Sequence, residues 1–211
     1  MNHTPMQTGM WALFAAPFRK NLTAVFGYDE KNVRAVTRAA KTEYRKILAA
    51  LPDFEKEDRF LMNIVSCAML GAFILHMPQR PDVERLTAYY ERSMMTPAMR
   101  WFCRKSGKAK FSARDIADMK ATAQLKAADR NPYSWNMDFY EYPDGSGYEG
   151  RFTRCGICTL MKKLGLYELT PALCRLDYTM SEAGGATDFV REYTLASGGP
   201  YCDCGYKKKT R

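Results

Sequence analysis

Tyr133–Arg154, "YSWNMDFYEYPDGSGYEGRFTR", is the stretch where the chain changes its period. "YSWNMDFYEY" alternates and is rich in aromatic residues, which is the pattern of a half-buried strand. "PDGSG" is turn chemistry, and "YEGRFTR" resumes the alternation. The reading is an antiparallel hairpin with a loop of about five residues, within the usual range.

Upstream of the hairpin the pattern is helical. In "DEKNVRAVTRAAKTEYRKILAAL" the apolar positions Val33, Val36, Ala40, Tyr44, Ile47, Leu48 and Leu51 fall three or four apart, on one helical face. Asp29 is placed to cap this helix and Pro52 to end it. A second helix is expected over 55–76. Its middle, "FLMNIVSCAMLGAFILHM", is apolar nearly all round, so it belongs at the centre of a bundle. Asn63, Ser66, His76 and Pro78 interrupt or stop that run, and a membrane span needs about 20 apolar residues. Further helices are expected from Asp82, from Thr96-Pro97 with the proline in the first turn, and from Ser112, where "SARD" is a loose capping box. Asn131-Pro132 breaks the chain.

Downstream, "CGICTLMKKLG" reads as a helix closed by Gly165. "ELTPALCRLDYTMSEAGG" reads as another, with Pro171 in its first turn. "TDFVREYTLASGG" and "YCDCGYKK" read as strands either side of "SGGP". The order ββααββ predicts an α+β fold, with a four-stranded, mainly antiparallel sheet carrying helices on one face. The expected division is a helical subdomain over 1–130 and an α+β subdomain over 131–211.

The chain has 211 residues, 46% of them hydrophobic, enough to bury a sizeable core without staples. The net charge is +9, and Lys207, Lys208, Lys209 and Arg211 supply four of those charges in a tail expected to be frayed. The remaining excess suits a small anionic ligand or a nucleic acid alike. No stretch interleaves basic and aromatic residues in a way that announces nucleic-acid binding, and no nucleic-acid or membrane partner is expected. Five of the seven cysteines (Cys155, Cys158, Cys174, Cys202, Cys204) follow residue 150. The amino end places its apolar run ahead of its basic residues, the reverse of a secretory leader. A cytoplasmic location with free thiols is expected. His3 is expected to be disordered and His76 to hydrogen-bond at a helix end. No Walker loop, dinucleotide fingerprint, G-x-S-x-G elbow or H-E-x-x-H motif is present.

Three readings of "CGIC" remain open: half a zinc site, a dithiol redox pair, or one working cysteine beside a bystander. The last is preferred, because a helical half stands where a thioredoxin fold needs its βαβ unit. Cys155, at the strand-to-helix junction, would face unpaired backbone N–H groups and a positive helix end, both of which favour thiolate. Arg151 and Arg154 add positive charge nearby. In "CRLD", Cys174 and Asp177 are three apart on one helical face, and the carboxylate could act as a general base or hold an amidinium. In "CDC", Cys202 and Cys204 share one strand face and Asp203 takes the other. A buried Asp203 would need a partner, and Arg191 is a candidate.

The succession "RCGICTLMKKLGLYELTPALCRLDY" and then "REYTLASGGPYCDCGY" resembles the L-2-amino-thiazoline-4-carboxylic acid hydrolase family over roughly residues 130–206. The resemblance rests on Arg154-Cys155, Leu164-Gly165 with Glu168-Leu169, Pro171 with Cys174 and Asp177, the segment from Thr194, and Cys202-Asp203. Cys158 is additional, and Cys204 stands where the family usually has phenylalanine. The resemblance implies a hydrolase opening a cyclic amidine or thiazoline carboxylate to an N-carbamoyl amino acid. It implies catalytic roles for Cys155, Asp177, Cys202 and Asp203, and substrate contacts from Arg151, Arg154 and Cys174. The substrate would be a small anionic or zwitterionic molecule, with no cofactor and no metal. A second resemblance, to vinyl-reductase-type sensor domains, implies instead a non-catalytic binder of a small molecule or zinc. A scaffold paired as a homodimer through the long helices is a third reading.

Overall fold

The helices form where the apolar spacing puts them. The structure, a computed structural model, describes residues 2–3, 5–55 and 58–209. The strand Asn2–His3 (β1) pairs antiparallel with Phe54–Glu55 (β2). Helices follow at Met10–Phe26 (α1), Glu30–Ala49 (α2), Leu61–Ile74 (α3), Val83–Met94 (α4), Pro97–Gly107 (α5) and Ala113–Ala127 (α6). Asp29, Thr96 and Ser112 cap α2, α5 and α6 through their side-chain oxygens. The hairpin strands are Asp138–Glu141 (β3) and Gly147–Phe152 (β4). Then come Gly156–Lys163 (α7), Thr170–Cys174 (α8), Leu176–Gly184 (α9), Thr187–Val190 (β5) and Cys202–Lys208 (β6).

Two compact units result. One comprises residues 1–94 and 156–173; the other comprises 95–155 and 174–211. This differs from the expected boundary at residue 130, because α5 and α6 group with the sheet and α7 groups with the first helices.

In the first unit α3 is the centre, with twelve of its residues buried from Leu61 to Ile74. Helix α2 packs on it, and α7 does so as well. The approach is close enough that a Cβ on Gly71 would lie 2.6 Å from the Leu164 side chain. Arg80 pairs with Glu168 at 2.7 Å and also donates to the Gly165 carbonyl. Tyr89 donates to the Phe18 carbonyl (3.1 Å), and Tyr90 to Ser66 (3.0 Å).

The second unit holds the sheet, in the order β3-β4-β6-β5 with every neighbouring pair antiparallel. One face carries Tyr148, Phe152, Cys202, Cys204, Phe189 and Tyr206. Helix α6 meets β3 and α9 meets β5 on that side. Tyr148 is its buried hub, touching the rings of Phe111, Phe139 and Tyr206. The opposite face carries Glu149, Arg151 and Asp203.

Several expectations change. The helical pattern is read from residue 29 onward, yet Met10–Phe26 forms helix α1 with Pro17 inside it. It forms because Met10, Phe14, Phe18 and Leu22 recur every four residues and are buried, and Asn21 donates back to the Pro17 carbonyl. Helix α3 begins at Leu61 rather than 55, since Phe54 and Glu55 are taken by the pairing with β1. His3 lies in that pairing rather than in a disordered end. His76 Nε2 lies 3.7 Å from Glu43 and makes no hydrogen bond among the described residues. Lys207 and Lys208 continue β6 rather than fraying; Arg211 lies outside the described residues. The single helix expected around "PALCRLDY" is two, α8 and α9, meeting at Arg175.

Candidate functional site

The β4–α7 junction is set by a side chain the sequence reading passed over. Asn136 accepts the backbone N–H of Thr153 (3.0 Å) and of Arg154 (2.6 Å), and donates to the Thr153 hydroxyl. These bonds fix the path of the chain as it leaves β4, so the next residue, Cys155, is delivered half-buried immediately before α7.

Cys155 is within electrostatic reach of both Cys174 and Cys202. Cys202 is buried in β6, and its sulfur accepts the Leu195 N–H at 3.2 Å. Cys174 ends α8. Burial pushes its thiol well up, and nearby Asp177 adds to the effect against the opposing pull of Arg191. Cys202 is raised for the same first reason, and the Leu195 N–H partly offsets it. The Cys204 thiol, densely surrounded although part of the residue meets solvent, is pushed up to about 12 by burial and then by Asp177. These three cysteines are therefore neutral donors or apolar lining at ordinary pH.

Arg191 holds the group together. Its side chain is 5% exposed and belongs to the segment after β5. Nη1 donates to the Cys174 carbonyl (3.0 Å); Nη2 donates to the Cys204 sulfur (3.0 Å) and to Asp177 Oδ2. Burial works against the guanidinium's charge, but Asp177 and Cys204 outweigh it, so the proton is held more firmly than in water. The plane lies over the Phe189 ring, 4.6 Å from its centroid. Asp177, in the first turn of α9, keeps 43% of its side chain exposed. The pair therefore has a buried cation and an accessible anion. Across the break at Arg175, the Cys174 backbone carbonyl and the Asp177 carboxylate bind the same guanidinium.

Two expected members stand elsewhere. Asp203 lies on the opposite sheet face, where its two oxygens accept the backbone N–H of Glu192 (2.8 Å) and Tyr193 (2.6 Å). It is a clasp between β6 and the segment after β5, and Arg191 pairs with Asp177 rather than with it. Arg151, directly across from Asp203 in the register, shares that face. It donates to Glu149 (2.9 Å) and is sandwiched by the rings of Tyr140 and Tyr201, at 5.0 and 4.3 Å. Strand alternation separates both from the cysteines. Arg154 is turned to the loop after α6, donating to the Asp129 carbonyl at 2.7 Å. Asp129 also takes Lys126 at 2.6 Å.

Cys158 is buried in α7, within the unit that excludes Cys155. Among the described residues no group of three or more His, Cys, Asp or Glu side chains is placed to hold a metal ion. Of the cysteines, Cys204 gives its sulfur and Cys174 its backbone carbonyl to the Arg191 guanidinium.

A family model described as L-2-amino-thiazoline-4-carboxylic acid hydrolase matches residues 62–206, more than half of the chain. The chain belongs to that family. The match begins within α3, so the L-2-amino-thiazoline-4-carboxylic acid hydrolase likeness takes in helices of the amino-terminal half that carry no sharp motif. It embraces every residue of the cluster around Arg191, and it supports a hydrolase-like function at the level of the family. No curated protein and no solved structure matches the chain.

Proposed function

We propose that the chain hydrolyses a small cyclic amidine carboxylate of the 2-amino-thiazoline-4-carboxylate type to an N-carbamoyl amino acid, with Cys155 as nucleophile and Asp177 as anchor. The observation that carries this reading is shared company: Cys155 and the arginine-held, partly accessible Asp177 both lie within electrostatic reach of the same two thiols, Cys174 and Cys202. Oδ2 of Asp177 is committed to Arg191, while Oδ1 makes no hydrogen bond among the described residues. That free oxygen can accept a charge-assisted hydrogen bond from a substrate amidinium.

The chemistry balances as a double displacement. With the amidine protonated and held by Asp177, the Cys155 thiolate adds to C2 of the ring. The C2–S bond of the ring breaks and its sulfur takes a proton, leaving the opened chain attached to Cys155 as an isothiouronium. Water adds to the same carbon, Cys155 departs as thiolate, and the N-carbamoyl product is released. One water is consumed and no electrons change hands.

The test is turnover of 2-amino-thiazoline-4-carboxylate, followed by the appearance of free product thiol. Cys155→Ser is expected to lose at least about a thousandfold in kcat, and Asp177→Asn about tenfold to a hundredfold, chiefly in KM. Intact-mass measurement during turnover should show the adduct on the wild-type chain and none on Cys155→Ser. Full activity in Cys155→Ser would overturn the nucleophile assignment; no turnover by the wild-type chain would overturn the substrate class.

A further inference from the structure

We propose that the outward face of α5 binds the surface of an anionic phospholipid bilayer. The helix is held on one side only. Gly107 meets α9 so closely that a Cβ there would lie 2.3 Å from the Gly184 carbonyl oxygen, and Gly184 in turn sits against the Cys103 carbonyl. With Cys103 and Gly107 buried in that crossing, the rest of the helix surface is open. Trp101 is 58% exposed and Phe102 is 54% exposed. Adjacent helical positions are about 100° apart, so the two rings flank the outward ridge, with Ala98 and Lys105 between them. Scattered single apolar residues on a surface are ordinary, but two large rings side by side are not.

The charge around them names the partner. From Thr96 to Arg114 the chain carries Arg100, Arg104, Lys105, Lys108, Lys110 and Arg114 and no acidic residue. Arg100, Arg104, Lys105 and Lys108 are exposed, and none pairs with a carboxylate among the described residues. Lys105 extends over the Trp101 ring, 5.3 Å from its centroid. Aromatic rings on a ridge bordered by Lys and Arg are the pattern of a helix that lies in the headgroup region. There the rings enter the acyl boundary and the cations meet lipid phosphates. A second copy is a poor occupant, because a twofold contact would set these four cations against themselves. A nucleic acid is less favoured, because a single helix ridge offers no groove to track its backbone. Among the described residues no helix is long and apolar enough to cross a membrane, and surface binding by α5 needs none.

The test is flotation of the full chain with vesicles of phosphatidylcholine alone, or with about 30% phosphatidylglycerol, at about 50 mM and about 0.5 M salt. The expected result is flotation with the anionic vesicles at low salt, with a blue shift of tryptophan emission. It should weaken about tenfold or more at high salt and in the double variants Trp101→Ser/Phe102→Ser and Arg104→Glu/Lys105→Glu, each checked for native circular dichroism. These side chains are exposed and lie outside the Arg191 cluster, so turnover in solution should be unchanged. Three results would overturn the proposal: no flotation with anionic vesicles at low salt, flotation unaltered by both variants, or binding of duplex nucleic acid or self-association through α5 with no vesicle binding.

Discussion

Arg191 shows how one side chain can give several cysteines a common environment. Its guanidinium is buried, yet it remains charged because Asp177 and Cys204 face it. The cost of burying a cation is offset only when every neighbour is arranged for it. The thiols beside it behave differently. Cys174, Cys202 and Cys204 all hold their protons more tightly than a free cysteine, first because they are buried. In the unfolded chain these thiols ionise near 8.5, while in the folded chain they stay protonated to higher pH. Stability from this source is complete below about 8.5 and declines as pH rises toward the folded values, by up to about 1.4 kcal/mol per pH unit for each thiol. Thermal unfolding under reducing conditions should therefore show Tm falling between about pH 8 and pH 9, before most tyrosines ionise. Cys204→Ala should give a shallower fall; a parallel one would contradict the assignment. The cysteines themselves were plain in the sequence. Arg191 was legible only as a candidate partner for Asp203, whereas it pairs with Asp177; Asn136 gave no signal, because it acts on residues remote in sequence.

Among the elements, the α5–α9 crossing depends on absent side chains. Gly107 is the only residue type that fits beneath the Gly184 carbonyl. Gly107→Ala is expected to cost about 3 kcal/mol, measured by urea unfolding, since overpacking forces backbone rather than a flexible side chain to move. Gly184→Ala should cost clearly less, because its Cβ would meet the Cys103 carbonyl oxygen at 3.3 Å. Strand alternation did the sorting within the sheet. Placing Cys202 and Cys204 on one face and Asp203 on the other was readable from "CDC". What Asp203 does there was not, since its partners are backbone N–H groups with no sequence signature.

At the scale of the molecule, the segment 156–173 leaves the chain order and completes the first unit. Helix α7 covers part of α3, with Leu164 against Gly71, and Arg80 secures the turn after α7. A fragment ending at residue 130 would uncover apolar surface on α3. It is expected to lose cooperative thermal unfolding by circular dichroism and to aggregate, whereas the full chain melts in a defined transition. A cooperative, monomeric 1–130 fragment would show that α7 is dispensable. The α+β class, the antiparallel hairpin and the order of strands and helices followed from hydrophobic period and turn residues, which act locally and are written along the chain. Which unit claims α5, α6 and α7 and which carboxylate meets Arg191 were decided by tertiary contacts. Those contacts join residues dozens of positions apart, and their energies depend on burial and shape, neither of which exists until the chain has folded.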